Sequence, residues 1–409
     1  MGQRTRQIYQ TDLLYVGPTG SNSATGKHFS LAPFFGITGT FTSLNAPAGR
    51  STAEIVSGDN LIAELYRVQS VNWTANKNLT DVNQFGELSA IDRIPLQPPT
   101  VTISFDYLVA NLINESLIGL NVSSVGSAAA GISCISGLLA GTQSPKNIFI
   151  KTVAEGSDAA DNNSLSYNIL AFGNAFLSSY SSQASVGNFP TASVSFDALN
   201  LNGDSIGGST SGVVIPAVNP TDGTAITGFY YNLPSGLTSY NDAGLSANQG
   251  ISVLRPGDIT LSLGVNDAGD TFFNPTDIKL QSYNFSFNFN QEDLNQLGSK
   301  YAYAKVPRFP LLATLQVEAI AGDFVTGKLT EIVGNNSNFN PTITMRKPSD
   351  PNTIIARLQI KNAKLDAQSS SLAIGSNKTF SMTFNAQAGG PQDLTKGIFL
   401  SGITVNATL

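Results

Sequence analysis

From Ser282 to Asn290, polar residues alternate one for one with Tyr283, Phe285, Phe287 and Phe289. A period of two over this length describes a β-strand with one apolar and one wet face, not an amphipathic helix. The stretch also occurs twice. Gln281–Gly298, QSYNFSFNFNQEDLNQLG, aligns without a gap on Gln69–Gly86, QSVNWTANKNLTDVNQFG, 212 residues earlier (281 − 69). Gln69/Gln281, Ser70/Ser282, Asn72/Asn284, Asp81/Asp293 and Gly86/Gly298 are among the identical pairs. The chain therefore reads as two copies of one β-rich domain.

Two further blocks repeat in the same order. Thr100–Val109, TVTISFDYLV, corresponds to Leu312–Ala321, with Pro95/Pro307, Pro98/Pro310 and Thr102/Thr314 keeping the shift of 212. Val186–Ala198 corresponds to Ile374–Ala386 at a shift of 188, so the first copy carries 24 extra residues (212 − 188), placed around 118–145. Near the N-terminus, Leu13–Gly20 echoes Phe229–Gly236 through Tyr15/Tyr231, Pro18/Pro234 and Gly20/Gly236. These matches divide the chain into a first β domain over 1–199, a Gly/Ser/Pro-rich linker over 200–222 and a second β domain over 223–409.

Within that frame, strands are expected at Phe35–Phe41, Leu61–Asn76, Asn147–Val153, Ser166–Phe172, Thr191–Ala198 and Gly397–Val405. Short helices are expected at Ala110–Leu117 and Ile132–Ala140, and Asp81–Arg93 reads as a structured connection without a clean period. Residues 17–60 and 232–278 are long loops of the kind that make contacts.

Composition narrows the chemistry. Only 12% of the residues are charged, below the usual ~25%. Cys134 and His28 are the only cysteine and histidine, which excludes an intrachain disulfide, a zinc cluster and paired-histidine chemistry. A net charge of −6 argues against nucleic-acid binding by phosphate neutralisation, though not against a surface that nucleic acid slides past. The N-terminal MGQRTRQIYQTD has no apolar signal core, and the low-charge run Ile118–Gly141 is too polar to span a membrane.

Motif matches weaken on inspection. Gly203-Asp204-Ser205-Ile206-Gly207 fits the nucleophile elbow, but no helical pattern follows it and the histidine lies far upstream. Pro18–His28, PTGSNSATGKH, misses the phosphate-loop pattern at its first glycine and at its final hydroxyl. Asp158, Asp161, Asp267, Asp270 and Asp277 lack calcium-loop spacing and read as turn caps. The aromatic stripe 283–289 reads as core or subunit interface before a sugar-stacking surface. Its opposite face keeps Asn and Ser at matched positions in both copies, which suits a surface lining a wide, wet channel. No catalytic, cofactor-binding or metal-binding residue is assigned, and no cofactor is expected.

The block Tyr66–Arg93, the Pro-rich turn and TVTISFDYL after it, and KNIFIKTVAEGSDA further on resemble tail tube proteins of long-tailed bacteriophages. The resemblance covers roughly residues 60–200, and 222–409 more weakly through the duplication. It implies a mainly β fold: two tandem β-sandwich tail-tube domains with short flanking helices and long loops. It implies a structural virion protein, not an enzyme, that self-associates into stacked rings, with three doubled chains supplying six domains. It further implies partners in the tape measure, tail terminator and tail tip, DNA passing through the lumen without specific binding, and no membrane. The expected place is the virion tail, assembled in the host cytoplasm. A neck, capsid-decoration or fibre protein, or a carbohydrate-binding or surface-layer β protein, is the alternative.

Overall fold

The computed structural model describes residues 12–18, 63–124, 133–139, 145–153, 166–207, 253–262, 278–321, 338–371 and 379–402, apart from 303 and 349. It adds the short pieces 159, 213–214, 218–219, 223–224 and 230–231. The expected Phe35–Phe41 strand, the Pro18–His28 glycine turn after its first residue, nearly all of the two long loops and Asp158, Asp161, Asp267, Asp270 and Asp277 lie outside the described residues.

The first half contributes β1 (Asp12–Pro18), β2 (Ala63–Glu64), β3 (Val68–Asn76), β4 (Leu79–Val82), β5 (Asp92–Pro95) and β6 (Thr100–Leu108). Two short helices follow, α1 (Ile113–Leu117) and α2 (Ser136–Leu139), with β7 (Val122–Ser124) between them. Then come β8 (Lys146–Val153), β9 (Ser166–Ser185), β10 (Thr191–Ala198) and β11 (Asn200–Gly207). A small pair, β12 (Val213–Val214) and β13 (Tyr230–Tyr231), precedes β14 (Ile259–Ser262). The second half continues with β15 (Ile278–Asn288), β16 (Gln291–Leu294), β17 (Ala304–Pro307), β18 (Leu312–Ala321) and β19 (Thr342–Lys347). It ends with β20 (Asp350–Lys361), β21 (Lys364–Ser371), β22 (Thr379–Gln387) and β23 (Gly397–Gly402). The fold is mainly β, as expected.

The two halves repeat strand by strand. In the first, β3 pairs with β6, β6 with β10, and β10 with the C-terminal part of β9. In the second, β15 pairs with β18, β18 with β22, and β22 with β21. The registers match as well. Ser70 faces Asp106 and Ser282 faces Glu318, and in both pairs the preceding glutamine, Gln69 or Gln281, is bulged out. Each bulged glutamine donates its side-chain amide to the carbonyls of the two residues before it. Ser178 and Asp366, 188 residues apart (366 − 178), are the extra residues at a second matched bulge.

Each half doubles this sheet with an outer layer. In the first it is β2-β1-β8-β9-β11, with β9 passing from the outer layer into the inner one. In the second it is β14-β19-β20-β23. The crossing between layers falls on an asparagine with positive φ in both halves, Asn174 at 52° and Asn362 at 60°. Asparagine tolerates the left-handed region better than other side-chain-bearing residues. Each of these backbone N–H groups donates to a second asparagine, Asn147 at 3.4 Å and Asn340 at 3.0 Å. Apolar residues from both layers form a single cluster that runs through the two halves, including Phe105, Phe172, Tyr180, Phe285, Leu315 and Phe384.

Three expectations are corrected. The counterpart of β1 is β14, which pairs with β19 as β1 pairs with β8, whereas Tyr231 sits in the small β12–β13 pair. The echo of Leu13–Gly20 at Phe229–Gly236 is therefore not a structural equivalence. The head of the expected linker, Asn200–Gly207, is a strand on the edge of the outer sheet, because its backbone groups find partners along β9. The helices are shorter than expected, Ile113–Leu117 and Ser136–Leu139, and rest on burial against the sheets more than on length.

The extra residues of the first copy fall mostly where expected. The 212 shift of β6 and β18 drops to 193 between Asn147 and Asn340 (340 − 147), so 19 of the 24 lie between β6 and β8. This insertion holds β7, which adds in parallel to β23 and ties the first half to the outer sheet of the second.

Candidate functional site

The inner layers of the two halves form one sheet. Its order is β3-β6-β10-β9-β15-β18-β22-β21, so eight strands run through both repeats without a break. The joint between repeats is an ordinary antiparallel ladder, with Phe285 opposite Ser182 and Phe287 opposite Tyr180. It extends at both ends: Val186 N–H donates to Gln281 O at 2.9 Å, and Phe289 N–H donates to Ser178 O at 2.8 Å.

One face of this sheet is core. Along β6 and β10, buried Val101, Ile103, Phe105 and Tyr107 meet Ala192, Val194 and Phe196. The expected aromatic stripe behaves likewise: Tyr283, Phe285, Phe287 and Phe289 are all buried, and the Phe287 ring stacks on Tyr180 at 5.5 Å. This stripe cannot stack sugars from solvent. In and just after β3 the same positions are occupied by Val71, Trp73, Ala75 and Lys77, and Trp73 is 46% exposed. The difference follows from position. β15 lies between β9 and β18, whereas β3 pairs with β6 alone among the described strands.

The opposite face is largely polar, with Leu108, Phe176, Leu312 and Ile320 among its apolar exceptions. It carries Ser70, Asn72, Thr74 and Asn76 on β3, and Ser282, Asn284, Ser286 and Asn288 on β15. Between and beyond them lie Thr102, Ser104, Ser181, Ser193, Thr314, Gln316, Ser381 and Thr383. Its side chains satisfy one another across strands. Thr74 and Thr102 share a hydrogen bond of 2.6 Å. Ser70 and Ser193 both donate to Asp106, the first at 2.8 Å, which staples β3, β6 and β10. In the second half Ser282 donates to Glu318 at 3.4 Å, and Thr314 donates to Asn385 at 2.8 Å. Charge on this face is sparse and mostly acidic: Asp106, Asp197, Glu318 and Asp366, against Lys279 and Lys364 near strand ends. Burial raises the Asp197 pKa, with Lys305 opposing the shift and Asp293 adding to it.

The face has the chemistry of a wetted lining. Neutral groups that already hold partners, with a slight excess of carboxylates, give phosphate no cationic cluster to bind. No group of three or more His, Cys, Asp or Glu side chains able to hold a metal occurs among the described residues. Gly203–Gly207 lies on extended β11, without the strand–turn–helix that makes a serine nucleophilic. No described helix is long and apolar enough to cross a membrane.

A hairpin hangs from one end of each inner sheet. β4 pairs with β5 and β16 with β17 in the same register, and each pair is crossed by an ion pair, Arg93–Asp81 or Lys305–Asp293. The second hairpin is seated on the first half. Gln291 donates to Leu177 O at 3.1 Å, Tyr301 packs with Leu199 and Val218, and Lys305 lies 5.7 Å from the centre of the Phe176 ring. Sequence reading anticipated neither hairpin, nor the second half of β9, nor β21. Their polar residues break any simple period, and only the matched shifts between repeats point to them.

No family model matches the chain, and no curated protein matches it. Among solved structures, a chain from "Cryo-EM structure of the anti-feeding prophage (AFP) baseplate, 6-fold symmetrised" is similar at 8% identity and a TM-score of 0.26. That match covers 36% of this chain and 91% of the other. A second, "Structure of Hcp1 from Flavobacterium johnsoniae", is similar at 12% identity and a TM-score of 0.18, over 32% of this chain and 95% of that one. Neither superposition is close enough to assign this chain a role.

Proposed function

We propose that the chain is a structural subunit of a virion tail tube, and that its polar sheet face lines the conduit through which the genome passes. One observation carries the reading: an eight-stranded sheet, largely polar on one face, crosses both repeats and, among the described residues, ends in β3 and β21, each paired on one side only. An edge of this kind recruits another strand unless something covers it. Chains joined edge to edge would close a wall with a hydrated inner surface, and the resemblance to tail tube proteins supports the same arrangement. Three chains supply six repeats per ring and carry −18 (3 × −6), part of it at the acidic positions of the lining. That charge repels DNA and keeps its passage free of binding. In this reading no residue does catalysis, and tape measure, tail terminator and tail tip proteins are the remaining partners.

Negative-stain electron microscopy of the purified protein tests the proposal. Hollow rings, or tubes of stacked rings, are the expected particles. Solid fibres, round shells, or a monomer that stays dispersed at high concentration would overturn it.

A further inference from the structure

The joint inside the chain has a counterpart at the chain's two ends. β15 and β3 are equivalent strands, as are the C-terminal part of β9 and β21, so the β9–β15 ladder maps onto β21 of one molecule and β3 of another. Carrying the internal register across by the shifts of 188 and 212 sets Trp73 opposite Ser370, Thr74 opposite Ser369, and Asn76 opposite Ala367.

The hairpins give an independent observation. Inside the chain, the second hairpin overhangs a cleft whose walls include Gln291 and Lys305 above and Gln97 and Thr100 below. These four polar residues share the cleft with apolar ones, among them Pro98, Pro99, Val101 and Ala302. Three of the four equivalent positions at the sheet's two ends are apolar and exposed, and the fourth is Arg93. On the first hairpin, Leu79 stands where Gln291 does and is 41% exposed, whereas Ile94 beside it does not differ from its equivalent Val306 (40% and 41% exposed). On the second half, Phe309 (61% exposed) stands where Gln97 does, and Leu312 (52% exposed) where Thr100 does. The ion pairs tell the same story: Lys305 is 11% exposed in its seat, and Arg93, its equivalent, is 64% exposed. A tethered joint can leave these three positions polar, because the chain already holds its parts together. A joint between separate molecules needs a buried apolar centre.

We infer that the 79–96 hairpin of one chain seats on Phe309 and Leu312 of a second copy of this chain, while its β3 edge extends that copy's β21 in the register of the internal joint. This deepens the tube reading and rests on its premise that chains associate edge to edge. The partner is the chain itself because both surfaces of the internal joint recur, one at each end, with matched apolar replacements.

Two measurements on the full-length chain test the inference. Thr74→Cys combined with Ser369→Cys should form interchain disulfides on mild oxidation, while Asn72→Cys with Ala367→Cys, four residues out of register, should not. Cys134 is buried and should take no part. Trp73 is the only tryptophan, so its emission should shift to the blue as chains associate. Leu79→Asp and Leu312→Asp should each weaken association by ~tenfold or more, as loss of a central apolar contact does, while the far-ultraviolet spectrum of the dissociated chain is unchanged. Equal cross-linking of the two cysteine pairs, or unaltered association of both Asp variants, would overturn the inference. Hollow rings with no cross-link at Thr74–Ser369 would leave the tube reading standing and remove this joint. The cross-link in open ribbons would keep the joint and remove the tube.

Discussion

Changing Glu115 to Gln should alter how the stability of the first half responds to pH. Glu115 lies on α1 and is fully buried; its Oε1 accepts the Tyr107 hydroxyl at 2.8 Å and the Tyr180 hydroxyl at 3.0 Å. Its Oε2 has no hydrogen-bond partner. Burial pushes its pKa from 4.5 up to about 7, opposed by a backbone hydrogen bond, by the two hydroxyls and by Arg67. The folded state therefore keeps a proton that the unfolded chain has already released between these values. Stability contributed by this group is present below pH ~4.5, falls as pH rises towards ~7, and is level above that. A shift of roughly 2.5 units at ~1.36 kcal/mol per unit corresponds to about 3 kcal/mol. Gln keeps the accepting oxygen and does not titrate. The assay is urea unfolding followed by Trp73 fluorescence, which reports on the first half, at several pH values between 4.5 and 8.5. The variant should gain about 3 kcal/mol on the wild type across that range. Parallel pH profiles for the two proteins would refute the reasoning.

Lys146 should behave in the opposite sense: burial lowers its pKa from 10.5 to about 7, so stability lost at neutral pH returns as pH rises towards 10.5. Lys146→Met should raise the urea midpoint at pH 7 by the equivalent of at most about 5 kcal/mol, with the gain fading in alkali. Phe285→Asp and Phe287→Asp should each abolish soluble folded protein, since both rings are buried at the joint between halves and an unpaired carboxylate there costs more than ~4 kcal/mol. Normal solubility and assembly of both variants would contradict the placement of that face. In the dissociated chain, Lys305→Ala should lower thermal stability measurably, while Arg93→Ala should stay within ~0.5 kcal/mol, as expected of an exposed ion pair. Calorimetry of the two variants side by side checks this, and equal losses would count against the seating of the second hairpin.

The alternation of Tyr283, Phe285, Phe287 and Phe289, the repeat at 212 and the later repeat at 188 were legible because β-strand periodicity is local and duplication preserves residue identity at matched positions. From local pattern and repeat came the mainly β class, the tandem repeat, most of β6, β8 and β10, and the polar character of one sheet face. Tertiary structure alone decided which of two equivalent strands is buried. Phe285 and Trp73 occupy the same place in the repeat, yet Phe285 is enclosed and Trp73 half exposed. Burial depends on which strands lie alongside, and the neighbour that β15 has and β3 lacks is β9, whose Ser182 faces Phe285 from 103 residues away in the chain (285 − 182). The same is true of Ser-rich β9 and β21, whose hydroxyls mask their period, and of β14, which takes the place in the sheet that sequence likeness had assigned to Tyr231. Local residue chemistry determines that this chain makes strands with one wet face; only the long-range pairing of those strands decides which of them are enclosed and which lie at the edge of the described sheet.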